Sequence, residues 1–302
     1  MCGPKPSRQL YRVGPEMNRI LIVGCGFVGN ELVRQNFNAN QCSVLFNPVY
    51  ALTRTGSRAN ELQSAGVLPI IGHWQDLSTL DTVPQVDTIL VSIPHREDSG
   101  FGVESHVVGL KNLVQRLPTF RKLIYLSTTG VYGDAEDEVD ELTPTKATRI
   151  GPQVAVAAER WLAAHFQAPQ LTIIRLAGIY GPGRIPLAEK LRSGETLQVP
   201  QKGWLNLIHV ADIAAMLMQV AQRDMAQALY VFSDGLPVPR LEFYRTLSKL
   251  CGVDEPKFAV PDPDASRSQR AGKKRVNSQR LIAELNLQLQ FPSYKEGLAN
   301  CI

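Results

Sequence analysis

The residues best placed to do chemistry open at Gly24-Cys25-Gly26-Phe27-Val28-Gly29. Glycine gives up more freedom on folding than other residues, so a G-x-G-x-x-G spacing suits a backbone that must turn or approach something closely. One glycine makes the turn, one admits a pyrophosphate, and one lets a helix pack against the preceding strand. The phosphates then meet the N–H groups at the helix start. The spacing alone also fits a purely structural turn. Its context strengthens the dinucleotide reading. Ile20-Leu21-Ile22-Val23 before it is an apolar run suited to a buried parallel strand. Glu31-Leu32-Val33-Arg34-Gln35 after it are good helix formers.

Other strand ends supply the remaining candidate contacts. A second strand, Val49 to Thr53, ends in Thr53-Arg54-Thr55-Gly56-Ser57. An acidic residue here would accept hydrogen bonds from the ribose 2′-hydroxyl of NAD. Thr53, Arg54 and Ser57 suit a 2′-phosphate better, which favours NADP over NAD; the alternative is that Arg54 and Arg58 are simply solvated. After a third strand, Val67 to Ile71, Asp76 and Leu77 stand where a carboxylate and the next N–H would face an adenine, or where Asp76 would cap a short helix. A fourth strand, Thr88 to Ile93, brings Ser92, Ile93 and Pro94 to the cofactor, whose middle would pass Pro94-His95. A fifth, Leu123 to Leu126, runs into Ser127-Thr128-Thr129-Gly130-Val131-Tyr132-Gly133.

The elements that must position these residues alternate strand and helix with short connections. That predicts an α/β, Rossmann-type doubly wound parallel sheet over residues 18–176. A disordered tail, 1–17, precedes it, and Met17 is an alternative start to Met1. Residues 177–302 read as a smaller mixed α/β substrate-binding region interleaved with the sheet. Helices are expected over Val103 to Leu117, Pro152 to Phe166, Asp212 to Val220 and Leu241 to Leu250, with strands at Leu171 to Leu176 and Leu229 to Phe232. Residues 134–141 hold six acids in eight positions and read as a solvated loop. The basic stretch Asp262 to Arg275 reads as mobile unless a phosphorylated ligand orders it.

The bulk numbers exclude several classes. A chain of 302 residues can bury a full core. Its net charge of +4 gives no footing for nucleic acid, and no apolar run approaches the roughly 20 residues needed to span a bilayer. Five scattered cysteines without a C-x-x-C pair indicate neither a metal site nor a disulfide framework, and fit a reducing cytoplasm.

Five motifs in order carry a resemblance to a known family. They are the glycine turn, Ser127 to Gly133, Arg175-Leu176-Ala177-Gly178-Ile179-Tyr180-Gly181-Pro182-Gly183, Asn206-Leu207-Ile208-His209-Val210-Ala211-Asp212-Ile213, and Lys273-Lys274-Arg275-Val276-Asn277. From Arg19 to Leu298 the chain resembles the extended and atypical short-chain dehydrogenases/reductases of the NAD-dependent epimerase/dehydratase type, and within them the YeeZ-like branch. The resemblance implies an NAD(P) cofactor and a small carbonyl or nucleotide-linked substrate, with homodimers formed through two helices. It implies that Ser127 lies at the cofactor, that Thr128 hydrogen-bonds the reacting oxygen, and that Asn206, His209 and Arg275 meet the substrate. For His209 and Asp212 a structural role is an equal alternative.

The family's acid/base unit is a tyrosine with a lysine four residues later. Anchored on Ala158-Glu159, those columns hold Gly151 and Ala155. Neither side chain can transfer a proton, and a positioned acid/base group typically contributes 10²–10⁴-fold. Tyr132 is the strongest substitute within the motifs, ahead of Tyr180, Lys146 and Arg149. Two readings follow. One is an oxidoreductase or epimerase/dehydratase with non-standard acid/base groups; the other is a catalytically degenerate NADP-binding redox sensor or assembly factor.

Overall fold

The computed structural model describes residues 18–38, 44–95, 100–259 and 272–302. The expectations for the tail 1–17 and for most of the basic stretch 262–275 lie outside the described residues.

The first half runs β1 (Asn18–Val23), α1 (Phe27–Asn38), β2 (Phe46–Thr53), α2 (Gly56–Ser64), β3 (Leu68–Ile71), β4 (Thr88–Val91), α3 (Ser105–Arg116) and β5 (Lys122–Thr128). After β6 (Glu138–Val139) come α4 (Ile150–His165), β7 (Leu171–Leu176), β8 (Gly178–Tyr180), α5 (Ala188–Arg192), β9 (Trp204–Leu205), β10 (Leu207–His209) and α6 (Val210–Gln222). The chain closes with β11 (Leu229–Phe232), β12 (Val238–Pro239), α7 (Arg240–Cys251), β13 (Arg275–Val276), α8 (Gln279–Leu285) and α9 (Tyr294–Cys301).

Seven strands form one parallel sheet in the order β11-β7-β5-β4-β1-β2-β3. Consecutive residues of β1 point to opposite faces, as a strand requires. Ile20 and Ile22 join the core beneath α1 and α6, while Leu21 and Val23 join the core beneath α3 and α4. Burial on both faces explains why β1 reads as a continuous apolar run rather than an alternation. Strand order reverses between β1 and β4. A ligand crevice is expected beyond the carboxyl ends of those two strands.

Two expectations need correcting. The second strand starts before the expected Val49: α1 continues to Asn38 and β2 already begins at Phe46. Asn36 joins the two, donating to the Phe46 carbonyl at 3.0 Å and accepting from its N–H at 2.9 Å. The acidic run is not simply solvated. Glu136 pairs with Lys273, Glu138 accepts from Asn277, and β6 pairs in parallel with β13. Opposite charge holds the far end of the chain against the loop that follows β5.

Candidate cofactor cleft and active site

A cleft of about 430 Å³ opens at the switch point between β1 and β4. Its walls include Gly24, Cys25 and Gly26 from the turn after β1, Thr53, Arg54 and Arg58 from the end of β2 and the start of α2, and Ser92, Ile93 and Pro94 beyond β4. The glycines have separable jobs. Gly24 has φ +92°, and a Cβ there would stand 2.7 Å from the Ser92 carbonyl oxygen, so only glycine lets β1 and β4 close together. A Cβ on Gly26 would meet nothing within 4 Å, so a ligand can approach the turn there, while the Gly26 N–H itself donates to the Gly24 carbonyl at 2.8 Å. At Gly29 a Cβ would press on Cys25 Sγ at 3.0 Å and Ile22 at 3.3 Å, so α1 lies tight on β1. Phe27 and Val28 carry the helix away: Val28 is buried, and Arg184 lies over the Phe27 ring at 5.2 Å.

Two cations stand on the adenosine side. Arg58 is fastened in place, donating to Glu61 at 2.6 Å, to the Cys25 carbonyl at 2.8 Å and to Asn30 at 2.5 Å. Arg54 is exposed on the same wall. Thr55, not Ser57, caps α2, and the Ser57 hydroxyl donates to it. Asp76 is spent on capping: its carboxylate accepts from the N–H and the hydroxyl of Ser78, and neither Asp76 nor Leu77 lines the cleft. His73, Trp74, Gln75, Ser105 and His106 line that end instead. Gln75 gives a signal in hindsight, because its amide reaches the Ser105 carbonyl at 2.7 Å and ties the β3 loop to α3.

The residues expected to do chemistry divide sharply. Thr128 is half-buried at the end of β5, where its hydroxyl oxygen accepts from the Gly130 N–H at 3.0 Å and its own proton remains to donate. Tyr132, the expected substitute acid/base, is held in a hydrogen-bond network. It is buried, donates to the Asp140 carbonyl at 2.6 Å and accepts from Arg175 at 3.0 Å, and burial pushes its phenol up to about 12. Ser127 is likewise committed, donating to Glu159 at 2.5 Å behind the strand. Glu159 and Arg175 form a buried ion pair at 2.7 Å that completes this network. Tyr180 is buried against His209 and far above the phenol range that could titrate near neutrality, chiefly through burial.

Of the expected substrate contacts, Asn206 and His209 make hydrogen bonds within the fold. Asn206 donates to the Lys274 carbonyl at 3.0 Å and accepts from the Val276 N–H at 2.7 Å, so it fixes the returning C-terminal segment. His209 caps α6 by accepting from the Ala211 N–H at 3.2 Å, packs on Phe291, and is pushed down to about 4 by burial. A neutral, enclosed imidazole of this kind holds a helix start rather than a ligand. Asp212 accepts from the N–H groups of Gln290 and Phe291, so its role too is to hold the chain terminus. Arg275 is exposed on β13. Among the described residues no group of acids, histidines and cysteines could hold a metal ion.

Gly151, expected from the resemblance at the family's tyrosine position, stands at the start of α4 without a side chain. A Cβ on Gly151 would lie 3.8 Å from Cβ and 4.0 Å from Cδ2 of His95. The lysine position, Ala155, is buried.

The cleft therefore fits a dinucleotide: an open glycine turn before α1 for the pyrophosphate and cations at the end of β2, with Thr128 at the end of β5 outside its lining. Comparison with known proteins agrees. The chain is 27% identical over 284 residues to Protein YeeZ of Escherichia coli K12, covering 91% of this chain and 97% of that one. It superposes with TM-score 0.71 and 28% identity on a functionally unknown conserved protein from Silicibacter pomeroyi, covering 94% and 97% of the two chains. At 16% identity it shares its fold with the Bordetella bronchiseptica enzyme WbmG in complex with NAD and UDP, at TM-score 0.76 over 95% and 94% of the chains. The NAD dependent epimerase/dehydratase family model matches residues 20–231. With that match across the sheet and the cleft, the chain belongs to the NAD-dependent epimerase/dehydratase family.

Proposed function

We propose that this protein binds NADP, or NAD more weakly, in the β1–β4 cleft and acts as an oxidoreductase or epimerase/dehydratase on a small carbonyl or nucleotide-linked substrate. The observation that carries the reading is the open glycine turn at Gly26 on the same wall as Arg54 and Arg58. A pyrophosphate has N–H donors there, and a 2′-phosphate has guanidinium groups to meet. The bound dinucleotide supplies a hydride donor or acceptor. This chain's own residues bind it, enclose it between the ends of β1, β2 and β4, and offer the Thr128 hydroxyl to a substrate oxygen. The WbmG complex with NAD and UDP supports a nucleotide-linked substrate class.

The glycine and alanine at positions 151 and 155 favour a second reading, a degenerate dinucleotide-binding sensor in which cofactor shifts a conformational equilibrium. The test is a nicotinamide fluorescence titration of NADPH and NADH on wild type and Arg54→Ala. Micromolar NADPH binding that weakens about tenfold in the variant, roughly 1.4 kcal/mol, with little change for NADH, is the expected result. Failure of both cofactors to bind overturns the proposal. Stopped-flow hydride transfer against carbonyls and nucleotide sugars then separates enzyme from sensor.

A further inference from the structure

The described part of the cleft holds a concentration of buried polar atoms that nothing in the fold satisfies. Among the described residues, the Ser105 hydroxyl and Nε2 of His106, which line the cleft, and both ring nitrogens of His95, next to the cleft-lining Pro94, are buried without a hydrogen-bond partner. Four such atoms in one neighbourhood carry a desolvation cost that folding alone does not require, since buried polar groups are ordinarily paired. The contrast with the adjoining groups is informative. His106 is anchored by its other nitrogen to the Tyr125 hydroxyl at 2.8 Å and edge-on to Trp74, and burial with His95 beside it pushes it down to about 4. His106 is thus a neutral fixture. His95 is not fastened at either nitrogen.

Its position gives this meaning. His95 follows Pro94, which lines the cleft, and β4 at this end touches the Gly24 turn. Across from it the first turn of α4 carries Gly151, which the family resemblance aligns with the tyrosine; a Cβ built there would lie 3.8 Å from His95 Cβ. The next residue of α4, Pro152, packs on Gly130, where a Cβ would meet Pro152 Cγ at 3.0 Å and Thr128 Oγ1 at 3.2 Å, so Gly130 lies between the start of α4 and the Thr128 hydroxyl. Gly151 places no side chain against His95.

Resting on the cofactor reading above, we propose that His95 is the proton-transferring catalytic residue of this site, supplied from the end of β4 in place of the tyrosine that α4 lacks. In the oxidative direction an imidazole nitrogen would take the hydroxyl proton of a carbinol, and a bound oxidised dinucleotide would supply the acceptor for the hydride that leaves the same carbon as it becomes a carbonyl. The reductive direction returns proton and hydride. Thr128 donates to the substrate oxygen throughout. An imidazole needs no lysine to titrate near neutrality, whereas a tyrosine does.

The test does not require the substrate. The chain has five histidines, so its imidazole resonances are few, and the one lost in His95→Gln identifies His95. Nitrogen-15 histidine NMR is recorded against pH on the whole wild-type protein saturated with NADP⁺ and again with NADPH. The oxidised nicotinamide ring is cationic and the reduced ring is neutral. An imidazole beside it titrates lower in the NADP⁺ complex by about one pH unit or more. The titratable group coupled to His95 among the described residues is His106 on α3, which the same spectra follow, while Gly151 facing it from α4 carries no charge. The expected result is a His95 midpoint that depends on the redox state of the cofactor. Equal midpoints in the two complexes, or a His95 that does not titrate between about pH 5 and 9 in either, overturn the assignment while leaving the cofactor reading intact. Absence of binding by both NADP⁺ and NADPH removes the cofactor reading, and the assignment with it.

Discussion

Two buried polar clusters flank α4, and they are opposites. In one, Ser127, Tyr132, Glu159 and Arg175 satisfy one another in a closed network, and the ion pair at its centre is 6% and 8% exposed. In the other, His95, Ser105 and His106 lie beside the cleft with four polar atoms unpaired. Completeness marks scaffold, because a donor and acceptor already matched have little left to offer a ligand. Incompleteness marks availability, because the cost of an unpaired group persists only where something else repays it. Three of the motif residues that drew attention in the sequence, Ser127, Tyr132 and Arg175, belong to the complete cluster.

The strongest way to break this comparison is to open the closed network. Glu159→Ala leaves Arg175 buried and uncompensated, and is expected to cost about 3–5 kcal/mol in urea denaturation. A loss under about 1 kcal/mol would show that the network is not scaffold. Next in size is the pH response of His209. Its folded value of about 4 lies below the usual imidazole value, so the folded protein prefers it neutral. Its contribution is complete above about pH 6.5 and is lost as pH falls toward 4, of the order of 2 kcal/mol. Urea midpoints at pH 7 and 4.5 are expected to fall more steeply for wild type than for His209→Gln, and parallel slopes would count against an enclosed neutral imidazole. Smallest is Tyr132→Phe, which removes one hydroxyl between Arg175 and the Asp140 carbonyl. It should cost about 1–2 kcal/mol of stability and leave NADPH affinity unchanged. A large loss of affinity would move Tyr132 back into the site.

Much of the fold was legible because it depends on local pattern. β1, β5 and β7 are apolar runs long enough to be buried on both faces, and β7 and β11 fall at the residues expected of them. The glycine turn was legible because its reason is steric and lies within a few residues. The catalytic end was not. What Tyr132 does depends on Arg175 and Asp140, and the role of Asn206 depends on the backbone of Lys274 and Val276, 68 and 70 residues away. Asp76 could serve as a cap or a ligand, and only Ser78 beside it decides for the cap. His95 carries no motif at all. Its meaning comes from the absence of a side chain at Gly151, on a helix more than fifty positions later.

A dinucleotide bound as proposed has its pyrophosphate at the glycine turn and its reactive end toward the unsatisfied cluster, away from the saturated one. A crystal structure of the NADPH complex tests this placement directly. The account predicts the pyrophosphate at the glycine turn, the 2′-phosphate within reach of Arg54 or Arg58, and the nicotinamide between Thr128 and His95. A nicotinamide held elsewhere, or a dinucleotide lying outside the β1–β4 crevice, would contradict it.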